Sequence, residues 1–206
     1  MTVSRETPPP PEAAGAFVHG WGQAQAYAQI LAHAGVDRGL IGPREVPRLW
    51  ERHLLNSVVV TPRIPENATV ADVGTGAGLP GLVWAMARPD LQVTLIEPLL
   101  RRVTFLEETV DELGLQNVTV VRSRAEDATG TFDVVTARAV AALDKLMTWC
   151  WPLVAPGGVL LALKGRTAAE EIEAARPTLR RLGATSVDVR TYGELAVPTT
   201  VVEVSR

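Results

Sequence analysis

The sequence predicts an α/β fold: a doubly wound, mostly parallel sheet closed by a C-terminal antiparallel hairpin, with a helical extension ahead of it. Three observations carry this. From Ala68 onward, short β-rich runs alternate with amphipathic helical stretches, and such alternation implies parallel strands joined by right-handed crossovers. A glycine-dense turn, VADVGTGAGLPG from Val70 to Gly81, follows directly on the first run. The last two β-rich runs are separated only by residues 193–198. That gap is too short for a crossover helix, so the two must pair antiparallel.

The elements follow in chain order. Residues 1–14 (MTVSRETPPPPEAA) are Pro-rich and poor in apolar side chains, the composition of a disordered tail. Residues 15–66 read as the helical extension, with helices near 24–33 and 46–57 around a Gly- and Pro-bearing stretch. Residues 67–206 form the α/β domain, with strands expected at 69–73, 92–97, 118–122, 132–137, 159–163, 186–192 and 199–204. Between the second and third, Leu99, Val103, Leu106, Val110 and Leu113 recur at steps of four and three, the spacing of one buried helix face.

Composition limits the function classes. No apolar run approaches the length of a membrane span, and no signal-peptide pattern opens the chain. Cys150 is the single cysteine, which excludes an internal disulfide and fits a reducing compartment; cytoplasm is the expected location. It falls within the apolar run MTWCWPLV and reads as core rather than nucleophile. His19, His33 and His53 show no ligand spacing, so no metal is expected. A net charge of −3 argues against general coating of nucleic acid but leaves room for a local basic rim. Arg122, Arg124 and Arg166 with Lys164 are the candidates for it.

The glycine turn satisfies two motifs. Gly76-Ala77-Gly78-Leu79-Pro80-Gly81 matches G-x-G-x-x-G, while Asp72-Val73-Gly74-Thr75-Gly76-Ala77-Gly78 is an acid followed by G-x-G-x-G. The acids decide between a dinucleotide and a nucleoside without phosphate. In open α/β sheets the ligand sits beyond the carboxyl ends of the strands. Asp72 stands there and would repel a pyrophosphate, but S-adenosylmethionine (SAM) has no phosphate and carries an ammonium and a sulfonium. Glu97, ending the second strand, suits ribose hydroxyls; Glu126 and Asp127, after the third, suit an adenine amino group. The turn from Leu153 to Gly158 (LVAPGG) reads as a helix-to-strand corner, similar to one ahead of the fifth strand in many SAM-binding proteins. Together with the terminal hairpin, these features resemble the class I SAM methyltransferase fold.

The target follows from what is missing. After the fourth strand the chain reads Thr136-Ala137-Arg138-Ala139, without the Pro-Pro motif of exocyclic-amine methylation. No general base and no covalent catalyst is evident. Guanine N7 needs neither, because its lone pair is free at neutral pH. A small-molecule methyltransferase of the same fold and a non-catalytic SAM-binding scaffold stand as alternatives.

ERHLLNSVVV, ADVGTGAGLPG, RSRAED, FDVVTARA and LLALKG, in that order, resemble the RsmG family, also called GidB. The resemblance implies methylation of N7 of one guanosine in 16S ribosomal RNA, with that RNA or the small ribosomal subunit as partner, acting as a monomer away from membranes. It also implies that Gly74, Leu79, Ala125, Glu126 and Arg138 hold SAM, joined by Asp72, Gly76 and Glu97 from the reading above. Arg138, Lys164 and His53 fall on the substrate side. Asn56 stands where the family often has Asp, and residues 38–42 (RGLIG) depart from the family's usual Asn-Leu-Thr.

Overall fold

The computed structural model describes residues 8–194 and 198–206. Seven strands make one sheet: β1 (Thr69–Val73), β2 (Gln92–Ile96), β3 (Val118–Val121), β4 (Phe132–Arg138), β5 (Val154–Lys164), β6 (Ser186–Tyr192) and β7 (Thr199–Ser205). Their spatial order is β3-β2-β1-β4-β5-β7-β6. β1 to β5 run parallel, and β7 lies antiparallel between β5 and β6. The helices are α1 (Ala13–Ala16), α2 (Trp21–Ile30), α3 (Asn56–Val58), α4 (Gly81–Ala87), α5 (Leu100–Leu113), α6 (Leu143–Cys150) and α7 (Ala168–Leu182). The strand order reverses between β1 and β4, and a crevice opens there beyond their carboxyl ends.

Strand alternation sorts the side chains into two cores. Val70, Val134, Leu161, Leu163 and Val201 pack with α4, α5 and the extension. Ala71, Val135, Leu160, Ala162 and Val202 pack with α6 and α7. Cys150 belongs to this second core, and burial pushes its thiol up to about 12.

Two expectations change. β5 begins at Val154, five residues before the expected start, and takes in the Pro156-Gly157-Gly158 corner. The chain bends locally there, with Gly157 at a φ of +78°, and the register shifts so that Phe132 pairs with Val154 and Val134 with Val159. Such irregularities accommodate a proline that cannot donate to the ladder. The expected tail also ends early. Residues 1–7 lie outside the described residues, but Ala13 is fully buried. The chain is anchored there because Phe17 packs edge-on against Trp50, with ring centroids 6.3 Å apart.

The extension shares one continuous core with the sheet. Beyond apolar burial, Trp84 Nε1 donates to Ser57 O at 2.8 Å, and Thr199 Oγ1 donates to Asn56 O at 2.7 Å. Arg63 pairs with the buried Glu203 at 2.8 Å, which also accepts the Tyr192 hydroxyl. The start of α2 is the tightest approach. A Cβ on Gly20 would collide with the backbone carbonyl of Met86, which no rotamer change relieves, whereas one on Gly22 would meet nothing within 4 Å. Gly20→Ala should therefore cost about 1–3 kcal/mol through overpacking. Gly22→Ala should be neutral or stabilise by up to about 1 kcal/mol through helix propensity. Urea midpoints of the two variants check the contrast.

Candidate cofactor and substrate site

The glycine turn is built around one carboxylate. Asp72 is fully buried, and its Oδ2 accepts Thr75 Oγ1–H at 2.6 Å and Gly81 N–H at 2.8 Å. One oxygen thus ties the start of the turn to the first residue of α4. Burial pushes the Asp72 carboxyl up to about 6, against the pull of those two hydrogen bonds and of the Arg138 charge.

What excludes side chains from the turn is largely the protein itself. A Cβ on Gly78 would strike Leu82, and one on Gly81 would strike Leu95. At Gly76 the case is different: φ is +62°, and beyond its chain neighbours an added Cβ would meet nothing nearer than Gly74 O at 3.9 Å. That backbone faces open space in a conformation that favours glycine. Tyr27, buried on α2, donates its hydroxyl to Ala77 O at 2.7 Å, so the extension holds the turn from outside. Nothing in the sequence marks this tyrosine except its place in a helix of small residues.

Glu97 is buried beside the turn. Its Oε2 accepts Gly76 N–H and its Oε1 accepts Leu99 N–H, each at 3.1 Å, with Arg102 Nη1 at 3.5 Å from Oε2. Ala125 and Glu126 lie on a short 3-10 turn (Ala125–Asp127) after β3. Leu79 is buried within the turn.

Arg138 ends β4 on the same face as Asp72, since Asp72 registers with Thr136 two residues earlier. Its Nη2 donates to His53 Nδ1 at 2.8 Å and to Arg52 O at 3.1 Å. An arginine only donates, so His53 Nδ1 is the acceptor and its Nε2 carries the hydrogen, 3.3 Å from Glu45 Oε2. Burial, then the Arg138 charge, push the imidazole down to about 4 against the opposing pull of Glu45. His53 is therefore neutral at pH 7 and serves as the acceptor for Arg138.

Among the described residues, several buried polar atoms have no hydrogen-bond partner, and Asp72 Oδ1 and Arg138 Nη1 are two of opposite charge at the crevice. The amino-acid end of SAM, with its ammonium and carboxylate, would satisfy both. The residues present fit this cofactor.

A cavity of about 790 Å³ opens beside Arg138, lined by Glu45, Arg52, His53, Asn56, Lys164 and Arg166 among others. The expected substrate-side residues His53, Arg138 and Lys164 thus meet on one cavity. The expected basic rim does not. Arg166 lines the cavity, while Arg122 and Arg124 follow β3, four strand spacings from β5, or about 19 Å. Glu45 and Glu171, which the sequence does not single out, also line it.

Residues 21–196 match the family model "GidB: rRNA small subunit methyltransferase G". The chain belongs to this family. Curated relatives named ribosomal RNA small subunit methyltransferase G are similar over nearly its whole length. The Streptomyces avermitilis protein is 56% identical, covering 94% of this chain and 83% of its own. The Mycolicibacterium gilvum protein is 53% identical, covering 96% and 90%. Among solved structures, the apo SAM-dependent methyltransferase SibL superposes with a TM-score of 0.64 at 20% identity, over 87% of this chain and 61% of its own. M. jannaschii TYW2 in complex with AdoMet gives 0.57 at 20% identity, over 73% and 75%. These likenesses establish the methyltransferase fold, as the strand order does.

Asp72 supplies a stability test. Its folded pKa, about 6, lies above the ordinary carboxyl value of 3.8. The folded state therefore binds this proton more tightly, and the stability gained from protonation is lost as pH rises from about 4 to 6. Asp72→Asn removes the buried charge. In the cofactor-free protein it should be more stable than wild type by about 2–3 kcal/mol above pH 6, and the gap should close toward pH 4. Urea denaturation across that range checks it; a pH-independent gap would place the effect elsewhere.

Proposed function

We propose that this member of the GidB family transfers the SAM methyl group to N7 of a guanosine in 16S ribosomal RNA, acting as a cytoplasmic monomer. The single observation that carries the reading is the position of Arg138. Its guanidinium lines the cavity while its charge acts on Asp72 beneath the glycine turn, so it stands between cofactor side and substrate side. No helix of the described residues is long and apolar enough to cross a membrane. The exposed large apolar side chains Val18, Leu99, Leu100, Val140 and Val189 are spread over four parts of the fold, which supports a monomer.

SAM supplies an activated methyl: its carbon–sulfur bond breaks as the N7–carbon bond forms, leaving a neutral sulfide and a cationic purine. The chain's task is alignment. No proton leaves N7, so neutral His53 has none to take, and its bond to Arg138 holds the guanidinium in place. Proximity and orientation alone can supply roughly 7–11 kcal/mol of barrier lowering. On the cofactor side, Asp72 and Arg138 would hold the amino-acid end, Gly74, Gly76 and Leu79 the turn beneath it, Glu97 the ribose, and Ala125 and Glu126 the adenine. Arginine often reads guanine through O6 and N7 together, a pose that would block N7. Arg138 or backbone amides are therefore expected at O6 or the Watson–Crick edge of a base drawn out of its stack.

Tritiated SAM incubated with small ribosomal subunits from a strain lacking the gene should place one methyl on N7 of one guanosine. Methyl on another atom, transfer only to small molecules, or SAM binding without transfer would each defeat the proposal. Arg138→Ala should lose roughly a hundredfold or more in rate while circular dichroism shows the fold retained. Near-normal methylation would remove Arg138 from the site.

A further inference from the structure

Lys164 lines the cavity, yet its ammonium is already occupied. Nζ donates to Ala141 O at 2.6 Å and to Glu171 Oε2 at 2.7 Å, and the side chain is only 9% exposed. The same Glu171 oxygen accepts Leu143 N–H at 3.0 Å, while Oε1 accepts Thr167 Oγ1–H at 3.4 Å. The pair therefore grips the backbone at both Ala141 and Leu143, where the chain passes from β4 into α6.

Strand alternation explains why Lys164 turns this way. Leu161 and Leu163 pack on the extension's side of the sheet, whereas Leu160 and Ala162 pack with α6 and α7. Lys164 continues the second set and so points toward α7, where Glu171 lies. Arg138 continues the opposite set, after Val134 and Thr136. The two cations at the strand ends thus leave the sheet from opposite faces.

The gripped loop is the partition between cofactor side and cavity. Ala139 holds a φ of +55° without being glycine, a conformation that costs free energy unless its surroundings enforce it. Val140, next in the chain, closes on the glycine turn: a Cβ on Gly74 would come within 2.8 Å of Val140 Cγ2. Residues 139–142 line the cavity on their other side.

We propose that Lys164 and Glu171 form a positioning clamp that fixes the loop of residues 139–142, and that Lys164 does not touch RNA. Through Val140 on Gly74 and Arg138 at its root, the loop sets the spacing between methyl donor and base. This rests on the methyltransferase reading above. Displacements near 1 Å cost in-line transfer roughly a hundredfold, so the clamp acts on kcat. Removing one member leaves the other charge uncompensated in a poorly solvated place.

The decisive variant is Glu171→Gln, which is isosteric, keeps an acceptor for Leu143 N–H and deprives Lys164 of its counter-charge. With small subunits as substrate, kcat should fall roughly 10- to 100-fold while the KM for RNA stays unchanged. Isothermal calorimetry should show weakened S-adenosylhomocysteine binding, because Val140 loses its seat on Gly74. Lys164→Met should give the same pattern, and the double variant should lose no more than the worse single one. If Lys164→Met melts early, Glu171→Gln decides alone. A lysine on RNA gives the reverse: raised RNA KM in Lys164→Met, wild-type kcat and S-adenosylhomocysteine affinity in Glu171→Gln, and additive losses. That pattern overturns the clamp. Failure of the wild-type protein to methylate small-subunit RNA overturns the functional reading instead, and the calorimetry still tests the clamp.

Discussion

A single carboxylate oxygen organises the crevice. Asp72 Oδ2 holds Thr75 and Gly81, and so fixes both ends of a turn that would otherwise be loose from its glycine content. With those ends pinned, α4 must begin at Gly81, Leu82 must press on Gly78 and Leu95 on Gly81. Tyr27 then meets Ala77 from the opposite side. Sheet, helix and extension are all registered on the same few residues. Burying a charge is costly unless it is hydrogen-bonded. Here the second oxygen is left without a partner among the described residues, a deficit that a cationic ligand group would relieve.

The two-residue period of β-strands then divides the labour at the crevice. β4 sends Arg138 toward the extension, where His53 and the Arg52 carbonyl receive it. β5 sends Lys164 toward α7 and Glu171. Both cations stand at strand ends and line one cavity, yet they belong to different cores. The cavity is thereby walled by side chains whose orientations are set independently, one through the extension and one through α7.

Much of this was legible in the sequence, for identifiable reasons. The strand at 69–73 and the hairpin at 186–192 and 199–204 were plain because β-rich runs met strong turn signals at both ends. The stripe of α5 was legible in Val103, Leu106 and Leu113, but Leu99, expected at its start, precedes the helix and is exposed, and Val110 is only half-buried. The start of β5 was hidden because Pro156-Gly157-Gly158 has the chemistry of a corner, while a register shift lets it stay in the strand. Asp72, Glu97 and Arg138 stood out as charges at strand ends. Tyr27 and Glu171 did not, since each lies on a helix and is brought to the crevice only by tertiary packing. The period of two would have given the direction of Lys164, but not what waits on that side.

The insertion of β7 between β5 and β6 bears on how the protein is made. β6 leaves the ribosome before β7, yet it pairs with the sheet only through β7. It must therefore wait unpaired, an open edge, until its successor arrives. The cavity waits with it, because Thr199 and Thr200 form part of its wall and Thr199 caps the Asn56 carbonyl of the extension. Arg138, Lys164 and the extension can thus all be in place before Thr199 and Thr200 close the wall they share.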